Sequence, residues 1–321
     1  MRIFKDLSAE VPDTNAHYFK LEEMNSSGNS ILAYGYNSTY NPLFQLKSKE
    51  FQRKILLNNW IPCEFAQFKD HHGRSAFEMF DDFDEVYSIC PYTTDWLNGK
   101  FKNSKFKNTF YPFNKDVIPD HQDKIYDVIY HGGIHGIEHI NCLNAMRNFN
   151  YRYITMTNHI NRLTQNHLGY ATDINLSATE KLKTIAQTKI SVCFNLIHNY
   201  PQHTSAIKSY EGWEKNVAFS EIDKLNIMPQ FKSRVHEAAF SNSLILIKRD
   251  PWNLIENFYK PDEEFIYFDS DRELEEKIQE ILSHWEDYQQ IIDNAFKRSL
   301  NYTTEKMYNI IKDGESWNGI T

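Results

Sequence analysis

Arg234 and Glu237 are the pair of residues in this 321-residue chain whose types and spacing best fit shared chemistry. Three positions apart in Arg234-Val-His-Glu237-Ala-Ala, they fall on neighbouring faces of the first turns of a helix predicted over 232–240. A polar loop, Gln230-Phe231-Lys232, leads into that helix, and the apolar run Ser243-Leu-Ile-Leu-Ile follows it. Such a run is expected of a strand buried on both faces of a parallel sheet. A cation and a carboxylate at a helix start beside a strand end suit a phosphorylated nucleotide. The loop amides and helix dipole attract phosphate, the Arg adds charge, and the Glu accepts ribose hydroxyls. The same two residues also suit an intrahelical ion pair on a solvated face, and spacing alone does not choose.

Other constellations surround this one. Gly132 and Gly133 follow a predicted strand (126–130) and precede a predicted helix (137–148), so their backbone can approach a diphosphate or nucleobase, although a tight turn needs no ligand. His135 lies in the same loop. Asn195 ends the apolar strand 189–195, with His198 just beyond, at the edge where open α/β sheets take ligands. His135-Gly-Ile-Glu-His139 matches the H-x-x-E-H pattern of zinc proteases, which needs both imidazoles on one helix face. Gly133 and Gly136 disfavour a helix at its front, so the zinc reading is set aside and no metal site is expected. The basic run Gly99-Lys-Phe-Lys-Asn-Ser-Lys-Phe-Lys-Asn108 is read as a solvated connection between strands rather than as a contact for an anionic acceptor, headgroup or nucleic acid.

Alternating patterns predict what positions these residues. In the amino-terminal part, strands are expected at 30–36, 60–67 and 85–89, with an amphipathic helix at 47–58 and another around 75–82. A polar linker with a Pro (114–124) separates this from a β-α-β-α-β-α-β series beginning at residue 126. Within the series, strands are expected at 151–155 and 172–176 and a helix at 158–168. Ser177-Ala-Thr-Glu180 and Ser270-Asp-Arg-Glu273 read as capping boxes that open helices.

The segment from Arg234 through the Leu244-Ile-Leu strand, Asp262-Glu-Glu-Phe-Ile-Tyr-Phe268 and Ser270-Asp-Arg-Glu273-Leu resembles the carboxy-terminal signature of group 1 glycosyltransferases. The nearest flavour is the spore-maturation-protein-like branch, and the match runs over residues 125–300. The resemblance implies a GT-B fold, two Rossmann-like α/β domains facing across a cleft. Residues 1–120 would form an abbreviated acceptor domain and 121–300 a nucleotide-sugar domain, with 301–321 a helix crossing back to the first. It further implies metal-independent transfer of a sugar from a UDP- or GDP-sugar to an acceptor hydroxyl on a glycan, lipid-linked or protein acceptor, with no cofactor beyond the donor. Glu237 matches the ribose-binding Glu. The first glutamate of the usual pair falls on Pro229, and the Arg and Lys expected after the first strand of this domain are missing, which throws phosphate neutralisation onto Arg234 and Lys232. Phe110-Tyr-Pro-Phe113 resembles the strand closing the acceptor domain. His71 or His72, with Asp70 as alternative, matches the cleft-facing base. An epimerase of the same architecture, or a non-catalytic binding protein on its scaffold, are the rival readings.

The net charge of −8 argues against a protein built to grip nucleic acid. No apolar run would span a bilayer and the first residues lack an apolar signal core, so a cytoplasmic location is expected, with peripheral membrane contact as an option. Cys63, Cys90, Cys142 and Cys193 lack metal spacing and read as reduced core thiols.

Overall fold

The computed structural model describes residues 1–5, 21–34, 48–58, 78, 80–101, 105–156, 168–199 and 213–320. Two parallel sheets carry the chain. The first is five-stranded in the order β1-β2-β3-β4-β5, formed by Arg2–Lys5, Ser30–Tyr34, Arg53–Asn58, Glu85–Ser88 and Phe106–Asn108. Strand alternation divides its side chains between two faces. Leu32, Tyr34, Ile55, Leu57 and Tyr87 enter one core, while Ile31, Ala33, Leu56 and Val86 enter another with Trp96 and Leu97 of helix α1 (Pro91–Phe101).

Three expectations need correction here. The predicted helix over 47–58 is instead β3, because Ile55, Leu56 and Leu57 form a continuous run buried from both sides at the middle of the sheet. The closing strand is Phe106–Asn108, inside the basic run, and not residues 110–113, of which Phe113 makes only a single bridge to Thr303. The run is therefore no solvated connection: Lys105 donates to the Phe80 carbonyl at 2.6 Å and Lys107 pairs with Glu85 at 2.9 Å. Strand β1 has no counterpart in the sequence reading, the predicted strand 60–67 lies outside the described residues, and of the helix expected at 75–82 the described part is a 3₁₀ turn over Phe80–Asp82.

The second sheet has six parallel strands in the order β14-β13-β9-β6-β7-β8. They comprise β6 (Tyr126–His131), β7 (Tyr151–Thr155), β8 (Asp173–Ile174), β9 (Thr188–Cys193), β13 (Leu244–Lys248) and β14 (Ile266–Phe268). Chain order runs outward from β6 on one side and from β9 on the other, so the topological switch point lies between these two strands. Helices α2 (Ile137–Met146) and α5 (Asp271–Ser283) cover one face through Cys142, Leu143, Met146, Leu274, Ile278 and Ile281. Helices α3 (Ala178–Ala186) and α4 (Ser233–Phe240) cover the other through Leu182, Ile185, Val235 and Ala238. The Ser177 capping box forms with both reciprocal bonds. Ser270 caps α5, but Glu273 reaches the Asp269 amide rather than that of Ser270, so the second box is only half built. The helix expected over 158–168 lies outside the described residues save its last position, Leu168, which opens a 3₁₀ turn.

An antiparallel unit that the sequence reading missed leaves the end of β9: β10 (Leu196–Asn199), β12 (Leu225–Pro229) and β11 (Ala218–Ser220), with β12 in the middle. Ile197, Met228 and Trp213 from this region join the amino-terminal core, Trp213 against Trp96 at 4.5 Å between ring centroids.

After α6 (Gln289–Ser299), helix α7 (Thr304–Asp313) lays Met307, Tyr308 and Ile311 against the first sheet's inner face. Each such side chain contributes ~1.5–3 kcal/mol when fully buried. Arg53 donates to the Ile311 and Lys312 carbonyls at 2.8 and 2.7 Å, closing the helix's negative end, and Gly314 ends it in the left-handed region (φ 73°). Glu85 holds Arg53 and Lys107, and Lys107 reaches the Gly314 carbonyl. Burial alone would raise the Glu85 pKa, but the two cations reverse this and bring it down to about 2. A depressed carboxyl contributes stability that is complete above its ordinary pKa and is lost as pH falls through the folded value. Urea unfolding followed against pH should therefore show a loss of stability between about pH 4.5 and about pH 2 that Glu85→Gln abolishes. At neutral pH the same substitution should cost ~1–3 kcal/mol, since Arg53 and Lys107 lose their common partner.

Candidate functional site

The switch point brings together the ends of β6 and β9 and the start of α4. Arg234, in the first turn of α4, is held from below by β6. Its Nη1 donates to the Tyr130 hydroxyl at 2.7 Å, and that hydroxyl donates to the Gly133 carbonyl at 2.7 Å. The guanidinium carbon lies 5.1 Å from the Tyr130 ring centre, within cation–π range. Gly132 turns over it with φ 131°, and a Cβ there would collide with the guanidinium. The glycine is thus required twice, for its backbone conformation and for the space the Arg occupies.

The Arg234/Glu237 ion pair that spacing allowed does not form. Glu237 is buried and faces other partners: its Oε2 lies 2.9 Å from Lys181 Nζ of α3 and 3.2 Å from His131 Nδ1, and its Oε1 accepts from Ser233 Oγ at 3.1 Å. Neither Oε2 contact has hydrogen-bond alignment, so this pairing is chiefly electrostatic. Burial would raise the Glu237 carboxyl, yet Lys181 and His131 hold it well below the usual carboxylate range. Burial lowers the His131 imidazole, with Glu237 opposing. Lys181 and His131 escaped the sequence reading because they reach Glu237 only through the docking of α3 and α4 on one sheet face.

Asn195, fully buried at the carboxyl end of β9, organises the loop before α4. Its carbonyl accepts from the Gln230 amide and its Oδ1 from the Lys232 amide, both at 3.0 Å, leaving Nδ2 without a partner among the described residues. Two of the three amides expected to cradle a diphosphate are therefore engaged in building the loop. Lys232 Nζ turns to the Gln230 side-chain oxygen. Phe231 points into the core, its ring 3.9 Å from that of Phe258. Helix α4 itself starts without a side-chain cap, leaving its amino-terminal dipole uncompensated by an Asp or Ser.

The glycine loop does not offer α2 as an anion site. Asp223, from the β11–β12 turn, accepts from the Ile137 amide at the start of α2 and pairs with His198 at 2.9 Å, and a Cβ on Gly136 would strike its carboxylate. His198 thus anchors this clasp. His139 stacks on Phe194 at 4.1 Å, with the rings of His198 and His135 at 5.6 and 6.2 Å. Burial and then the neighbouring imidazoles hold its pKa well below the ordinary value. Helix α2 begins after His135, and Glu138 pairs with Lys248 at 3.1 Å, so H-x-x-E-H does not share one helix face. Among the described residues no group of three or more His, Cys, Asp or Glu is arranged to hold a metal.

His71, His72 and Asp70 lie outside the described residues. On the amino-terminal side, Cys90 Sγ stands 4.0 Å from the Pro229 carbonyl and Tyr92 donates to the Trp252 carbonyl at 2.8 Å. Asp250, which the sequence reading passed over, is pushed up to about 6 by burial, but its oxygens accept from the Trp252 and Leu254 amides, a turn-forming role. Cys90, Cys142 and Cys193 are buried free thiols, as expected.

Residues 175–309 match a family model described as glycosyl transferase-like. No curated protein matches the chain. Among solved structures, HepE from Anabaena in complex with UDP superposes with a TM-score of 0.58 at 10% identity, covering 89% of this chain and 78% of that one. Sucrose-phosphate synthase from Thermosynechococcus elongatus gives 0.58 at 12% identity, covering 92% and 75%. A glycosyltransferase from Rickettsia africae ESF-5 gives 0.54 at 10% identity, covering 97% and 96%. The fold is GT-B, in keeping with the resemblance read from the sequence. No helix among the described residues is long and apolar enough to cross a membrane.

Gly132→Ala should destabilise the fold by ~1–3 kcal/mol, because it strains the left-handed backbone and displaces the half-buried guanidinium. Chemical denaturation measures the loss. A wild-type midpoint would contradict the packing of Arg234 beneath the loop.

Proposed function

We propose that this chain, on its GT-B scaffold, transfers a sugar from a nucleotide diphosphate sugar to an acceptor hydroxyl, with a UDP-sugar the first donor to test and a GDP-sugar the second. The observation that carries the reading is the half-buried Arg234 guanidinium at the switch point, hydrogen-bonded to a hydroxyl rather than to a carboxylate, beside the uncapped start of α4. A diphosphate leaving there would meet a fixed cation and the positive end of a helix dipole. Both are oriented before the reaction and need no reorganisation during it. Lys232 adds charge at the same loop, so the leaving group can be neutralised by side chains, in keeping with a metal-independent step. Glu237 would accept the ribose hydroxyls, and Asn195 Nδ2, lacking a partner among the described residues, is suited to donate to a donor oxygen. UDP is put first because HepE has been solved with UDP and with UDP-glucose. The acceptor's proton would go to a base from the amino-terminal domain, His71, His72 or Asp70. The acceptor is taken to be a glycan, a lipid-linked molecule or a protein, and the location cytoplasmic, with peripheral membrane contact where the acceptor is lipid-linked.

Pro229 favours one second reading. It occupies the place of the usual first glutamate, at the buried end of β12 against Cys90, and no carboxylate stands there for the transferred sugar. A protein that binds nucleotide sugars without turning them over would fit that loss.

A thermal-shift series on EDTA-treated protein separates these readings. UDP at 100 times its Kd should stabilise the fold by ~2.7 kcal/mol, and Arg234→Ala should remove most of that shift. Release of free UDP from a UDP-sugar on adding an acceptor supports transfer, and binding without release supports the second reading. No shift with UDP, GDP or any other nucleotide would end the donor-site assignment.

A further inference from the structure

His131 is the last residue of β6, one of the two strands that flank the switch point, and no role follows for it from the charges gathered around Arg234. Strand alternation places Ile129 and His131 on the face covered by α3 and α4, opposite Tyr130. The imidazole is 3% exposed. Its Nδ1 lies 3.2 Å from Glu237 Oε2, while its Nε2 is buried with no hydrogen-bond partner among the described residues. A buried ring nitrogen left unsatisfied is costly, so its retention at a sheet's ligand edge calls for a partner from outside the chain.

The tautomer indicates what that partner must be. Glu237 is an ionised carboxylate and can only accept, so the ring proton sits on Nδ1, facing it. Burial lowers the imidazole's own pKa and keeps the ring neutral at neutral pH. Nε2 then carries a lone pair and no proton. It repels a phosphate oxygen and accepts from an O–H. Lys181, on the far side of Glu237, secures the carboxylate in its charged form and so fixes the tautomer at one remove.

We propose that His131 is a specificity-determining residue whose Nε2 accepts a hydrogen bond from a hydroxyl of the bound nucleotide sugar. The inference rests on the donor-site reading above. The hydroxyl belongs either to the ribose or to the transferred sugar, and the same chemistry serves both. Phosphate recognition stays with Arg234.

The test compares His131→Asn and His131→Gln by calorimetric titration with UDP, its 2′,3′-dideoxy analogue and UDP-glucose. Asn can keep the donor that faces Glu237 but has no acceptor at the Nε2 position, whereas Gln can place its amide oxygen near that position. The expected result is binding about fivefold to tenfold weaker in His131→Asn, the worth of one neutral hydrogen bond, and within about threefold of wild type in His131→Gln. A ribose contact makes the Asn penalty appear with UDP and vanish with the dideoxy analogue. A contact to the transferred sugar makes it appear only with UDP-glucose. An Asn penalty equal for all three ligands, or absent from all three, overturns the proposal, the former because it reveals only loosened structure. If His131→Asn does not fold, His131→Gln decides: binding within about threefold of wild type with every ligand supports the contact, and a larger loss shared equally by all three overturns it. Wild-type protein that binds no nucleotide would instead bring down the donor reading itself, a result distinct from normal wild-type binding with unaffected variants.

Discussion

A carboxylate and a guanidinium three residues apart on one helix, the first buried and the second half-buried, do not neutralise each other. Each depends on a separate support: Arg234 on the hydroxyl of Tyr130, Glu237 on Lys181 and the ring of His131. Isolated charges in a protein interior are costly, and side chains from β6 and α3 offset that cost here. The arrangement of the second sheet follows from this need. Strand β6 must bring Tyr130 up on one face and His131 on the other, α3 must dock beside α4, and Gly132 must clear the space above the guanidinium. Had Arg234 and Glu237 paired along the helix, their charges would have cancelled and nothing at the switch point would favour an anion.

Much of the second sheet was legible in the sequence because its strands are short, continuous apolar runs and two of its helices, α3 and α5, carry side-chain caps. Residues 151–155 match β7 to the residue, and Ser177 forms its box with Glu180. Arg53–Asn58 was misread for the same reason that made the others easy: an apolar triplet beside Phe51 fits helical and extended periods alike, and only its place between two strands decides. The antiparallel unit was illegible because strands of three to five residues with an exposed Phe219 carry no clear period.

At the site, Arg234, Glu237 and Asn195 were readable from type and position. Lys181, His131, Tyr130 and Asp223 were not, since each takes its meaning from a partner 25 to 106 residues away that packing alone supplies. The reading of the 230–232 amides as a cradle failed in a related way. Amides at a helix start attract an anion only when nothing in the chain has taken them first, and Asn195 had.

The docking of α7 has a consequence for how the chain is made. Leu32, Tyr34, Ile55 and Leu57 line a face of the first sheet whose cover includes Met307, Tyr308 and Ile311, and whose edge charges reach the carbonyls of Ile311, Lys312 and Gly314. On the ribosome, at about 5–20 residues per second, that face is synthesised many seconds before its cover. The first sheet therefore cannot mature in order of synthesis. The part of its core that Met307, Tyr308 and Ile311 supply arrives only after the second sheet is built.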